Sequence, residues 1–177
     1  MSILKTFSTP RYAGAWFSFD GDRMKFRAQV EAYLQAELSD SDGSLLVNDT
    51  GPHWQGQSVQ VSYAHTGNLA VLVYSRTHLL GVDIESSSRK LSVDPALLAK
   101  RFLDPKTADQ IAAIGNSESR RSEFLKSWVK LESYVKLTRS GLKNSLAVSL
   151  SETGDVDFAE LPVVPKDFCS SIALSFI

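Results

Sequence analysis

The run Ser122–Lys143, SEFLKSWVKLESYVKLTRSGLK, constrains this chain more than any other stretch. Its apolar residues recur at helical spacing, which predicts one long helix with Gly141 just past its end, where a left-handed cap residue belongs. At about 100° per residue, Phe124, Trp128, Leu131 and Val135 form a narrow apolar stripe that faces a core. Glu132 lies at the edge of that stripe, and Lys136 is one turn further on the same side. A carboxylate beside the core edge with a lysine next to it is either an ordinary helix pair or half of a reactive site. The rest of the chain has to decide between them.

A length of 177 residues suits one domain, or two small halves sharing a core. With 19 basic and 20 acidic residues there is no overall pull toward nucleic acid or an anionic membrane. Locally the balance differs: Lys100–Lys143 holds ten Lys/Arg against five Asp/Glu. That excess is either a solvated helix face, since Lys126 and Lys130 point away from the stripe, or an attraction for phosphates or an acidic partner. The single cysteine, Cys169, excludes a disulfide framework and any multi-cysteine metal site, and reads as a small buried filler. No apolar run is long enough for a membrane span and the N-terminus lacks the apolar stretch of a signal peptide, so the cytoplasm is the expected location.

Residues 3–19 read as one or two strands, and Asp20-Gly21-Asp22 opens a helix through about Leu38 that buries Met24, Val30, Tyr33, Leu34 and Leu38. Ser39 to Gly56 is turn-rich and predicts the longest loop. Gln57 to Ala64 and Asn68 to Arg76 read as strands parted by a His65-Thr66-Gly67 turn, followed by a strand from His78 to Glu85. Asp94-Pro95 and Asp104-Pro105 each pair an N-cap with proline at the first helical position, starting short helices over 95–102 and 105–114. Ser117 is the expected cap of the long helix. Ala147 to Ser151 and Ser170 to Ile177 read as strands. The order divides into two similar halves, residues 1–76 and 77–177, each with a long helix and flanking antiparallel strands. That is an α+β pattern rather than a doubly wound parallel sheet.

The strand LLGVDIE is the second informative stretch. At period two, Leu80, Val82 and Ile84 share one face, and Gly81, Asp83 and Glu85 the other. Two carboxylates at i and i+2 repel unless solvent or a cation screens them. Gly81 beside them is expected to leave room for a ligand. The bland alternative is an edge strand with a polar outer face. Combined with Glu132, the pair gives three oxygen donors with no competing cysteine or histidine cluster, a set that suits Mg²⁺. Lys136 can hold a phosphate oxygen as a point charge. The chemistry these residues imply is metal-assisted attack at a phosphate or pyrophosphate, with one carboxylate as general base.

Together, Gly81-Val82-Asp83-Ile84-Glu85 and Trp128-Val129-Lys130-Leu131-Glu132-Ser133-Tyr134-Val135-Lys136 resemble the G-[VI]-D-x-E and W-x-x-K-E-[SA]-x-x-K signatures of the 4′-phosphopantetheinyl transferase superfamily. Leu98–Phe102 is similar to the family's A-x-R-F segment, and Ser62–Asn68 to its S-H-S-G turn. The four pieces fall in the family's order over roughly residues 57–145. The departures are Leu131, where the family has a lysine, and Ala64, where a serine is common.

The resemblance implies a 4′-phosphopantetheinyl transferase-like fold in a compact two-lobed, surfactin-synthetase-activating form that closes its site within one chain, hence a single domain over 1–177 and a monomer. It implies transfer of the phosphopantetheine arm of coenzyme A to a serine of an acyl or peptidyl carrier protein, releasing 3′,5′-ADP. Asp83, Glu85 and Glu132 would hold Mg²⁺ on the pyrophosphate, and Glu132 would accept the serine proton. Lys136 would bind a phosphate and stabilise developing charge, while His65 with Thr66 would contact the coenzyme A phosphates. The carrier would dock around the short helices, where Leu97, Leu98, Lys100, Arg101 and Phe102 mix basic and apolar character. Arg11, Arg23 and Arg27 are candidates for the adenine and 3′-phosphate end, surface charge being the simpler account of each. Two alternatives stay open: a non-catalytic homologue that binds coenzyme A or a nucleotide in a regulatory role, and a plain interaction module.

Overall fold

The computed structural model describes residues 2–177. In the first half, strands β1 (Ile3–Ser8), β2 (Ala13–Ser18), β5 (Gln60–Thr66) and β6 (Leu69–Ser75) form an antiparallel sheet in the order β1-β2-β6-β5. Helix α1 (Arg23–Leu38) covers one face, and a separate hairpin of β3 (Ser44–Asn48) and β4 (Gly51–Gln55) lies between α1 and β5 in sequence. Period-two alternation sorts the sheet's side chains. Ala15, Phe17, Val61, Ala70 and Leu72 turn to α1, meeting Phe26, Val30 and Leu34, while Trp16, Ala64, Val71 and Val73 turn to the opposite face.

That opposite face is covered by the second half. Strands β7 (His78–Ser86), β8 (Asp157–Ala159) and β9 (Phe168–Phe176) form an antiparallel sheet in the order β7-β9-β8. Leu80, Val82, Ile84, Ile172 and Leu174 from this sheet close a shared core with Trp16, Val71 and Val73. Helix α4 (Ser117–Thr138) packs on the far side of β7 and β9, and α2 (Pro95–Phe102) and α3 (Pro105–Ala112) pack on α4 in turn. The Asp94 and Asp104 side chains cap α2 and α3, each with proline in the first turn, as the sequence predicts. The fold is therefore α+β, two halves each with a long helix on antiparallel strands.

Two contacts hold the halves together near the chain crossing. The Val82 N–H donates to Ser62 Oγ across the β5–β7 seam at 3.1 Å. Ser75 Oγ donates to the Arg11 carbonyl at 2.6 Å and accepts from the backbone N–H groups of Thr77 and His78, so the two-residue link between β6 and β7 is pinned. No helix among the described residues is long and apolar enough to cross a membrane.

The structure departs from the sequence reading at several points. The cap of helix α4 is Asn116, whose side chain accepts from the Ser119 N–H, and Ser117 is the first helical residue rather than the cap. It ends three residues before Gly141, with Arg139 as the left-handed residue at φ 54°; Gly141 instead opens a single 3-10 turn, Leu142–Ser145. In α1, Met24 is exposed and Phe26 takes the buried place, held edge-on by Phe17, Phe19 and Tyr63. Ser39 to Gly56 is not a loop but contains the β3–β4 hairpin. Residues 147–151 form no strand; the second sheet's third strand is Asp157–Ala159. His65 and Thr66 close strand β5, leaving Gly67 and Asn68 as the turn.

Candidate active site

Strand β7 is buried on both faces, so the polar-edge reading of LLGVDIE does not hold: Asp83 is 6% exposed and Glu85 8%. The reason is α4. A methyl group at Gly81 would run into the α4 backbone at Ser133 O and Leu137 N. Gly81 thus clears space for a helix rather than a ligand. Ser133 is fully buried beside it, donating to the Lys130 carbonyl at 2.8 Å and to Ser171 of β9 at 3.0 Å. This close approach sets Glu132 and Lys136, the next polar residues along the helix, against Asp83.

Lys136 Nζ donates to Asp83 Oδ1 at 2.7 Å and to the Val82 carbonyl at 2.9 Å. Burial, reinforced by the neighbouring Asp83 carboxylate and opposed by Lys136, pushes Glu132 up to about 7. Glu85 is held differently. Its Oε1 accepts from Thr66 Oγ1 at 2.6 Å and from the Ser86 N–H at 2.9 Å, and its Oε2 pairs with Arg89.

Asp83, Glu132 and Lys136 form one wall of a cleft of about 310 Å³ between the halves. The other wall comes from the first half: Arg23, Phe26 and Arg27 of α1, and Tyr63, Ala64 and His65 of β5. Arg27 Nε donates to the Tyr63 hydroxyl at 3.3 Å, and His65 stacks on Phe19 with ring centroids 4.5 Å apart. Burial, with Arg23 and Lys136 nearby, lowers the His65 pKa against the opposing pull of Asp83, so the imidazole is neutral at neutral pH. The cleft places cations on one side and a carboxylate pair with its own lysine on the other, an arrangement that receives a polyanion and offers it a proton acceptor.

Of the residues singled out in the sequence, the fold brings Asp83, Glu132, Lys136 and His65 to this cleft. Thr66 is turned to Glu85. Arg23 and Arg27 line the cleft, while Arg11 pairs with Asp157 at 2.8 Å and so joins β8 instead. Tyr63 was missed; its place at alternate spacing from Val61, next to a turn, was the available signal. Leu131 is 1% exposed and packs with Phe124, Leu125 and Ile111 in the apolar layer between α4, α2 and α3, which explains why an apolar residue is accommodated there.

The donor set suits Mg²⁺ in kind. Asp83 and Glu132 bring hard oxygen donors to one cleft, and a divalent cation would offset both the burial and the Asp83 repulsion that lift Glu132. Among the described residues, no group of three or more His, Cys, Asp or Glu side chains lies close enough together to hold a metal ion, and Glu85 is engaged by Thr66 and Arg89. The fit is that of a carboxylate pair with a third donor turned aside.

Two helix-on-sheet halves with a mixed acidic and basic cleft between them define an α+β protein. The model of the 4′-phosphopantetheinyl transferase superfamily matches residues 79–167, half of the chain, and the chain belongs to that superfamily. Its general activity is phosphopantetheine transfer. No curated protein matches the sequence.

Proposed function

We propose that the protein transfers the 4′-phosphopantetheine group of coenzyme A to a serine of an acyl or peptidyl carrier protein, releasing 3′,5′-ADP, as a cytoplasmic monomer. The observation that carries this reading is the half-buried Glu132, raised to about 7 beside Asp83 and Lys136, facing Arg23 and Arg27 across the cleft. A carboxylate poised there is a base matched to neutral pH. In the reaction, the serine Oγ attacks the β-phosphorus of coenzyme A, its proton passes to Glu132, and the bond to the 3′,5′-ADP oxygen breaks.

Asp83 and Glu132, with Glu85 as a third carboxylate, would hold Mg²⁺, which supplies positive charge to the pyrophosphate when bound. Lys136, kept in place by Asp83 and the Val82 carbonyl, offers its remaining N–H to a phosphate oxygen as charge develops. Neutral His65 donates one ring N–H to the same polyanion without adding charge, and Thr66 acts through Glu85. Arg23 and Arg27 supply the cationic wall for the nucleotide end. Incubation with coenzyme A, Mg²⁺ and a panel of apo carriers, read by intact mass, is expected to add one phosphopantetheine to at least one carrier class. A panel left unmodified by this protein but modified by a known transferase would show the proposal wrong.

The burial of Leu131 at a position where the family has a lysine favours one further reading, a non-catalytic homologue that binds coenzyme A in a regulatory role. Thermal stabilisation by coenzyme A with no carrier modified would select it.

A further inference from the structure

We propose that Arg89 is an internal counter-cation that holds Glu85 out of the divalent-cation site and so sets how tightly that site binds its metal. The inference rests on the assignment of Asp83, Glu85 and Glu132 given above. Both Glu85 oxygens are already satisfied, by the Thr66 hydroxyl and the Ser86 N–H on Oε1 and by the Arg89 guanidinium on Oε2. None of these donors belongs to α4, the helix that carries the other cleft carboxylate.

The pair is asymmetric. The Glu85 side chain is 10% exposed, and that of Arg89 is 50% exposed. A buried carboxylate needs a positive partner, whereas a guanidinium at the surface is solvated by water oxygens that accept its N–H groups. A divalent cation entering the cleft can therefore take over Glu85 while Arg89 moves into solvent at little cost. Until it does, the two cations compete for one carboxylate.

The local backbone favours this division of labour. Arg89 N donates to the Ser86 carbonyl at 3.0 Å and Ser87 N to the Asp167 carbonyl at 2.8 Å, so the turn after β7 is anchored at both points. Release of Glu85 needs only a side chain to swing, not a loop to unfold. Arg89 is thus a positioning residue, acting on the metal through Glu85.

The test uses Mn²⁺ alone as the probe on the full chain without coenzyme A, with free Mn²⁺ followed by electron paramagnetic resonance. Arg89→Ala is expected to bind Mn²⁺ about tenfold more tightly than the wild type, about 1.4 kcal/mol. Arg89→Lys, which keeps the charge, is expected to stay within roughly threefold of the wild type. In a Glu85→Gln background the Arg89→Ala gain is expected to vanish, since the carboxylate that the arginine withholds is gone. Thermal melting in chelator checks that each variant is folded, and Arg89→Gln serves as a second neutral variant.

Unchanged or weaker Mn²⁺ binding in both neutral variants overturns the proposal, as does a gain that survives Glu85→Gln. Glu132→Ala separates this from the reading beneath it. If Glu132→Ala loses Mn²⁺ while Arg89→Ala changes nothing, the counter-cation role alone fails. If Glu132→Ala binds Mn²⁺ like the wild type, the carboxylate site itself fails, and the counter-cation role with it.

Discussion

Helices α1 and α4 hold equivalent places in the two halves, yet they are packed in opposite ways. Helix α1 buries one side, with Phe26, Val30, Tyr33, Leu34 and Leu38 on the first sheet, and leaves the rest to solvent. Helix α4 is buried on two sides, with Val129, Ser133 and Leu137 toward β7 and β9, and Phe124, Trp128 and Leu131 toward α2 and α3. A helix with an open face carries charges at little cost, and α1 contributes arginines to the cleft. A helix held on two sides shields its polar edge from water, and α4 contributes a carboxylate whose protonation is displaced toward neutrality. Under the proposed function, the same architectural unit serves binding in one half and proton transfer in the other.

The strongest way to break this comparison is kinetic. Glu132→Ala is expected to lower kcat by about a thousandfold with coenzyme A binding much less affected, the size of a lost general base. A comparable loss expressed only in KM would assign Glu132 to binding and erase the contrast. Next in size is Gly81→Ala, expected to cost about 3 kcal/mol or more in urea unfolding, because the new methyl meets the backbone of a doubly packed helix that has nowhere to retreat. A loss below about 1 kcal/mol would show that α4 shifts freely.

The third prediction concerns protons. Glu132 is pushed up to about 7 from an ordinary value of 4.5, so the folded protein keeps a proton that the unfolded chain releases. Stability is therefore expected to fall as pH rises from about 4.5 to about 7 and to level off above, by on the order of 2–3 kcal/mol from this group. Urea titrations at pH 5 and pH 8 in chelator read it as the difference between wild type and Glu132→Gln, which lacks the titration. Equal pH dependence in the two proteins would place Glu132 in an ordinary solvated setting. The smallest effect belongs to α1. Arg27→Ala is expected to raise the KM for coenzyme A by roughly tenfold while kcat holds, as for a contact made equally in ground and transition states. A fall in kcat instead would draw α1 into the chemistry.

How much of this was legible depended on range. Local rules sufficed for the two Asp-Pro helix starts, the alternation of LLGVDIE and the placing of Glu132 and Lys136 on one side of a helix. They failed where a partner distant in sequence decides. Gly81 looked like room for a ligand because nothing in its neighbourhood announces the α4 backbone from Ser133 to Leu137. Glu85 read as a free third ligand because Thr66, its hydroxyl partner, lies on a strand of the other half. The β3–β4 hairpin was hidden by the turn residues on both sides of its five-residue strands, and its anchors, Glu31 to the Leu45 N–H and Asp40 to the Trp54 indole, reach back to α1 and its end. The second buried side of α4 was missed because a 22-residue helix with small and β-branched residues toward a sheet shows no clean stripe there.

The pinned crossing between the halves has a mechanical consequence. With only Arg76 and Thr77 between β6 and β7, Ser75 stitched to both flanks, and one core running through the seam, the halves form a clasp without a hinge. Ligand exchange in such a body is expected to be carried by long side chains at the rim swinging in and out, with a rate that answers to charge and salt more than to any jaw-like opening of the protein.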